Sequence, residues 1–550
     1  MKKWILLAIV TCVVALLGTP LLFAIPSTVR VKLIAFNDFH GNLEPANLSF
    51  VLPNKERVPA GGVAYLATHI KQLRAQNPNH LVVSAGDAIG ATPLLSALFH
   101  DEPTIEALNA LGLDLNGVGN HEFDQGQEEL MRLIKGGCHP KEGCRGGDRY
   151  GGAKFQFLGA NVIDQKTGKP ILPAYSVKTF GGVKIAFIGI TLEGTARLVP
   201  AKGIAGLTFA NEAETINALV PELQKQGIRA IVVLLHEGGR HEGHLNECEN
   251  LTGAITQIVP LVDREVDLFL TGHTHQAYNC LIDGRVVTSA SAFGRVLTDI
   301  DLVLDRRTGD IKTIKARNLV VTQEVPPDET LTALVAKYKA IADPIANRVI
   351  GSIAADLTRQ ANPAGEMPLG SVIADAQLFA TQAPAKGGAV VALMNAGGIR
   401  ADLTYKNPAG DGKVTYGQAF AVQPFGNTLV TMTLTGAQLK QLLEQQFDNP
   451  VAGQNRILQV SSGFSYSWSP SAPAGDRVRD MRINGKPVIP TENYRITVNS
   501  FMADGGDNFS ILKEGRDRQV GVKDIEALEA YFKERSPVAP PTQPRITRLD

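Results

Sequence analysis

Five short polar clusters in the first half of the chain each directly follow an apolar run: NDFHG at 37–41, GD at 86–87, GNHEFD at 119–124, HEGG at 236–239 and GHTH at 272–275. Between them they hold Asp38, His40, Asp87, Asn120, His236, His273 and His275, a mixture of carboxylate, imidazole and amide donors. Singly, each has a plain structural use: Asp38 caps a turn, Gly86-Asp87 forms one, and His236 is a core histidine with its nitrogens satisfied. Together they are harder to dismiss, because each polar group buried without a partner costs roughly 2–7 kcal/mol. A pair of divalent cations bridged by one aspartate, about 3.5–4 Å apart, satisfies them all. The donor mix fits Zn, Mn, Co or Fe better than Ca.

Elements far apart in sequence must bring these clusters to one place. From about 29 to 325, β-branched runs such as VRVKLIAF, HLVVSAGD, VKIAFIGIT, RAIVVLLH and VDLFLTGHTH alternate with helical or loop segments. That alternation predicts a layered α/β domain whose strands are covered on both faces. In such folds ligands collect at the carboxyl ends of strands, which is where all five clusters fall. Residues 326–350 open with Pro326-Pro327, continue with helix-favouring residues interrupted by Asp343-Pro344, and predict a helical linker. A second domain occupies 351–545, with strands in VVALMNAG, TLVTMTLTG and YRITVNSF, and the tail SPVAPPTQPRITRLD is expected to be extended. A chain of 550 residues is too long for one core, so two domains are expected on length alone.

The 54 Lys and Arg residues balance 54 Asp and Glu, which argues against a surface built to hold a nucleic-acid polymer. Lys2 and Lys3 precede an uncharged apolar stretch reaching about Ile25, which reads as an export signal. An uncleaved membrane anchor is the alternative, and no later segment is apolar enough to span a bilayer. The expected location is therefore periplasmic or extracellular, with any membrane contact made through this N-terminal segment. Beyond the segment lie Cys138, Cys144, Cys248 and Cys280, an even number that favours disulfides in an oxidising compartment. Three connectivities are open, the simplest being Cys138 with Cys144 and Cys248 with Cys280; zinc ligation is the rival use, without a CxxC pair to support it.

The second domain offers candidates for holding a substrate. NAGGIR at 395–400 has glycines that allow close approach, with Asn395 able to bond a base edge and Arg400 able to grip phosphate. QPFGNT at 423–428 and NSFMADGGDNF at 499–509 each place an aromatic, Phe425 or Phe501, beside turn residues. Two such rings can sandwich a base, a contact worth about 1–3 kcal/mol, although an isolated phenylalanine is more often simply core.

The order DxH, GD, GNHE, H, GHxH resembles the calcineurin-like metallophosphoesterases, and everything after the N-terminal segment is similar to the secreted 5′-nucleotidase family. The resemblance implies a four-layer α/β/β/α metallophosphoesterase domain, a helical linker and a C-terminal α/β domain that binds substrate. It implies that Asp38, His40, Asp87 and His275 hold one metal, and that Asp87, Asn120, His236 and His273 hold the other. In that setting His121 faces the reacting phosphate and Asp124 orients it, whereas Glu122 supports the loop and His241 and His244 are surface residues. Phe425 and Phe501 match the family's base clamp, and Asp507 matches its contact to ribose hydroxyls. Arg359 in DLTRQ resembles a further phosphate-binding arginine, but NPAGEMP lengthens the spacing to the helix that follows. The domains are expected to reorient about the linker so that bound nucleotide reaches the metals.

The expectation is an exported, monomeric hydrolase with two divalent metal ions that releases phosphate from nucleoside 5′-monophosphates, with nucleoside di- and triphosphates or UDP-sugars as further substrates. The alternative within the fold is a 2′,3′-cyclic-nucleotide 2′-phosphodiesterase with 3′-nucleotidase activity. Phe425 and Phe501 weigh against it, since relatives of that kind favour tyrosines in the clamp. A thiosulfate-ester hydrolase is a third activity, and a non-catalytic nucleotide-binding or adhesion protein is the alternative from another class.

Overall fold

The computed structural model describes residues 26–45, 48–449 and 454–550. The segment 1–25, read above as a signal or anchor, lies outside the described residues, among which no helix is long and apolar enough to cross a membrane.

Strand Thr28–Phe36 begins the first domain, and its last six residues are all buried, as a strand covered on both faces requires. It runs parallel to His80–Ser84, which is followed outward by Leu115–Gly117 and Gln156–Leu158. Antiparallel strands Val296–Asp305 and Asp310–Val320 complete this six-stranded sheet on its other side. A second six-stranded sheet has Val183–Thr191, Ala230–His236, Leu268–Thr271 and Arg285–Ala290 in parallel, with an antiparallel strand at each edge. The sheets face one another through a shared apolar cluster, in which Val31, Leu33 and Val83 of one meet Ile185, Phe187 and Val232 of the other.

Helices close the two outer faces. Helix Glu212–Lys225 shows why: Asn211 caps it by accepting from Glu214 N, and Ala213, Ile216, Val220 and Leu223 recur on one face and are buried against the second sheet. Helices Val63–Arg74 and Glu102–Leu111 do the same for the first sheet through Leu66, Ile70, Ile105 and Leu108. The result is the expected α/β/β/α stack, with the parallel strands of both sheets delivering their carboxyl ends to the site region.

Helix Glu329–Ala346 connects the domains. It runs through Asp343-Pro344, where an interruption was expected. Proline forfeits one intrahelical hydrogen bond, but it falls two residues before the helix end, and Asn347 N still bonds Asp343 O beyond it. The helix is anchored on the first domain: the Tyr338 ring lies 4.7 Å from that of Phe99, its hydroxyl donates to Glu106, and Lys339 pairs with Glu44 at 2.7 Å. The second domain is built on a five-stranded sheet in the order Gln459–Val460, Val391–Met394, Asn493–Asn499, Thr428–Thr435, Arg516–Lys523. Its proline-rich tail ends in a short strand, Ile546–Arg548, that pairs with Phe464–Trp468.

Candidate active site

Each of the five polar clusters sits where a parallel strand ends. Asp38 and His40 follow Thr28–Phe36, Asp87 follows His80–Ser84, Asn120 follows Leu115–Gly117, His236 closes Ala230–His236, and His273 and His275 follow Leu268–Thr271. The chain turns sharply to do this. Asp38, His40, Asp87, His273 and His275 all have positive φ, between 46° and 69°, a region that residues with side chains seldom occupy and that concentrates at functional sites. Gly86 and Gly119 make the crowding feasible, since a Cβ on Gly119 would lie 2.2 Å from Asp87 Oδ1 and one on Gly86 2.6 Å from His236 Nδ1.

The seven donors converge. His236 Nε2 lies 3.0 Å and His40 Nε2 3.6 Å from Asp87 Oδ2, while His275 Nε2 lies 3.4 Å and His40 Nε2 3.9 Å from Asp38 Oδ1. His273 Nδ1 is 3.0 Å from Asn120 Oδ1, and the facing Nε2 atoms of His40 and His275 are 3.2 Å apart. The donors thus fall into two groups, Asp38 with His40 and His275, and Asp87 with His236 and His273, and Asp87 also reaches His40. The far nitrogens of two rings are bound to backbone carbonyls: His40 Nδ1 to Gly90 O at 2.8 Å, and His236 Nδ1 to Ala85 O at 2.7 Å. A neutral imidazole so held keeps its proton on Nδ1 and presents the Nε2 lone pair inward, as metal-ligating histidines do.

These groups of carboxylates and imidazoles could hold metal ions. His236 Nε2 is fully buried and makes no hydrogen bond. Burial opposes charge on that ring, yet the Asp87 and Asp38 carboxylates outweigh it and draw His236 up to about 10. Burial, with repulsion from His236, pushes His273 the other way, to about 3. The two aspartates thus draw positive charge into the cluster at His236, while His273 is held neutral.

Beside the donors, His121 Nδ1 is bonded to Asp124 Oδ2 at 2.7 Å, and its backbone N–H donates to Asp87 Oδ1 at 2.9 Å. Glu122 is buried and bound to backbone amides of the donor loops. Its carboxylate accepts from Asp87 N, Ala88 N and Gly119 N at 2.7–3.0 Å and so ties two ligand loops together. His241 differs from its surface assignment: it is half-buried, with Nε2 on Ala277 O at 2.7 Å. The bonded cysteine pairs are Cys138–Cys144 and Cys248–Cys280, the second fastening the loop after His236 to strand Ala277–Ile282.

The second domain completes the cavity, which spans about 1070 Å³ and is lined by Asp87, Asn120, His121 and His273 on one side and Asn395, Arg400, Phe425, Phe501 and Asp507 on the other. The Phe425 ring lies parallel to the His121 imidazole at 6.0 Å, with the Arg400 guanidinium 5.9 Å from its centre. Asn395 Nδ2 donates to Asp507 Oδ2 at 2.7 Å, and Asn395 Oδ1 accepts from Asn499 Nδ2 at 2.9 Å. Asp38, His40 and His236 lie behind the cavity wall within the donor cluster, and Arg359 reaches neither the wall nor the cluster. Asp402 captures it through both its backbone N–H and Nε. Among the lining residues that escaped the sequence reading are three arginines: Arg197 and Arg240, exposed cations in no recognisable pattern, and Arg456, which follows an unremarkable stretch, VAGQN.

Residues 31–277 match the calcineurin-like phosphoesterase family, and residues 349–514 match the 5′-nucleotidase C-terminal domain family. The chain is 34% identical over 510 residues to endonuclease YhcR of Bacillus subtilis, covering 92% of this chain but only 40% of that protein's length. It is 33% identical over 548 residues to cell wall protein Lmo0130 of Listeria monocytogenes, covering 93% of this chain and 68% of the relative. Among solved structures, the 5′-nucleotidase precursor of Thermus thermophilus superposes with a TM-score of 0.78 at 28% identity, covering 95% of this chain and all of the other. With both domains matched in order and the fold shared along almost its whole length, the chain belongs to the 5′-nucleotidase family, in which a calcineurin-like phosphoesterase domain precedes a 5′-nucleotidase C-terminal domain.

Proposed function

We propose that the protein hydrolyses nucleoside 5′-monophosphates to nucleoside and phosphate, outside the cytoplasm, with two divalent metal ions. The observation that carries this reading is one cavity lined by four of the seven donors, Asp87, Asn120, His273 and His275, together with the His121–Asp124 pair and the Arg400–Phe425 pair. Asp38, His40, Asp87 and His275 would hold one ion, and Asp87, Asn120, His236 and His273 the other. When bound, such a pair supplies a nucleophilic water at neutral pH and neutralises charge on the phosphoryl oxygens.

The chain's own groups do the rest. Phe425 and Phe501 stack on the base, and Asp507 accepts from the ribose hydroxyls. Arg400 grips the phosphate with its planar fork. Asp124 holds His121 by Nδ1, so that Nε2 is the nitrogen left to pass a proton to the departing 5′ oxygen. The two disulfides and the Lys2-Lys3 apolar segment support an exported protein.

A substrate panel tests the reading: AMP, 3′-AMP, 2′,3′-cyclic AMP, ADP and UDP-glucose, each before and after chelation and metal add-back. AMP should be the best substrate, with activity abolished by chelator and restored by Mn, Co or Zn. Preference for the cyclic diester or 3′-AMP would replace this proposal with the phosphodiesterase reading, and no turnover of any substrate with metal bound would reject an enzymatic role.

A further inference from the structure

Arg456 lies on the wall of the nucleotide cavity, in the segment leading from Gln446–Asp448 to strand Gln459–Val460. Its guanidinium Nη1 is 3.8 Å from Asp507 Oδ1, beyond direct hydrogen bonding but close enough for strong attraction. The surroundings heighten that attraction, since the Asp507 side chain is 4% exposed and that of Arg456 35%. The two Asp507 oxygens differ. Oδ2 is occupied by Asn395 Nδ2, whereas among the described residues Oδ1 accepts no hydrogen bond and has the Arg456 guanidinium beside it.

The backbone beneath this carboxylate is held against its preference. Asp507 and Asn508 have φ of 51° and 61°, two consecutive left-handed residues that both carry side chains. The buried Asn449 amide donates to the Asp507 carbonyl, and Asn508 Nδ2 donates to Asp448 O at 3.0 Å. Asn449 and Arg456 therefore grip Asp507 twice, Asn449 through its main chain and Arg456 through its charge. Burial raises the Asp507 carboxyl above the usual range, and Arg456 is the leading influence in the opposite direction.

We propose that Arg456 is a positioning residue for sugar recognition: it holds the free oxygen of Asp507 toward the cavity to accept from the cis-diol of a ribonucleoside, so that the site prefers ribonucleotides to deoxyribonucleotides. The proposal rests on the nucleotide reading above. Arg400 serves the phosphate end, near Asp124 and Asp87, while Arg456 serves the sugar end through a carboxylate.

The test is calorimetric binding of adenosine and 2′-deoxyadenosine to the full chain, in wild type, Arg456→Gln and Arg456→Lys. Neither ligand carries phosphate, so the readout is independent of turnover and metal loading, and thermal unfolding checks that each variant is folded. Wild type should bind adenosine roughly 10–100-fold more tightly than 2′-deoxyadenosine, the value of one hydrogen bond to a charged acceptor. Arg456→Gln should lose most of that preference by weakening adenosine alone, and Arg456→Lys, which restores the charge, should recover much of it. A wild-type preference undiminished in Arg456→Gln, or equal weakening of both ligands, overturns the proposal and leaves the nucleotide reading standing. Failure of wild type to bind either nucleoside overturns both.

Discussion

His121→Ala should slow phosphate release from AMP by roughly 10²–10⁴-fold, the usual worth of a positioned general acid and equivalent to about 3–5 kcal/mol of barrier. Two distances set this expectation. The 2.7 Å bond from Nδ1 to Asp124 Oδ2 fixes the ring, so its orientation is established before substrate arrives. The 2.9 Å bond to Asp87 Oδ1 comes from the backbone N–H, so it survives truncation and the metal-ligand loop keeps its place. Metal content and thermal midpoint should therefore match wild type. The assay compares kcat for AMP with kcat for p-nitrophenyl phosphate, whose aryl oxide departs without needing a proton; its loss should stay within about tenfold. AMP turnover within about threefold of wild type would refute the role of His121. Equal losses on both substrates would move the residue from the leaving oxygen to the phosphoryl oxygens.

Phe425→Ala should raise KM for AMP by roughly 5–100-fold, the equivalent of one lost base stack, while the KM of a small aryl phosphate changes far less; steady-state kinetics on both substrates decide it. Asp524 is 2% exposed, and burial pushes its carboxyl up to about 7. Between about pH 4 and pH 7 the native state keeps a proton that the unfolded chain has released, so this group lowers stability by up to about 4 kcal/mol as pH rises through that window. Asp524→Asn should accordingly gain on wild type between pH 4.5 and pH 7.5 in thermal midpoint, and a pH-independent difference would contradict the assignment. Loss of the Cys248–Cys280 bond in Cys248→Ala/Cys280→Ala should cost about 3–4 kcal/mol for a loop of this length, 32 residues, read as a lower unfolding midpoint.

Much of the site was readable because strand and ligand signals are adjacent in the text. Asp38, Asp87, Asn120, His236 and His273 each close or shortly follow a buried strand, so locating the strands located the candidate donors. The left-handed backbone that turns five donors inward was not readable, since its residues are aspartates and histidines rather than the glycines that usually mark such a turn. Arg359 shows how a motif misleads when a local partner intervenes. DLTRQ resembles a phosphate-binding motif, although the spacing after it is lengthened, and Asp402, 43 residues away in sequence, takes its backbone N–H and Nε. Arg456 shows the converse. Nothing in GQNRILQ distinguishes it from any surface arginine, and only the fold brings it to Asp507. Pro344 was overread as a helix breaker because its position in the last turn, where the missing hydrogen bond matters least, depends on where the helix ends.

The central claim is that seven donors from distant loops hold two neighbouring cations. Anomalous diffraction from crystals of the manganese-loaded protein measures this most directly. The account predicts two peaks inside the ring of Asp38, His40, Asp87, Asn120, His236, His273 and His275, about 3.5–4 Å apart with Asp87 between them. A single peak there, or peaks only elsewhere on the molecule, would contradict it.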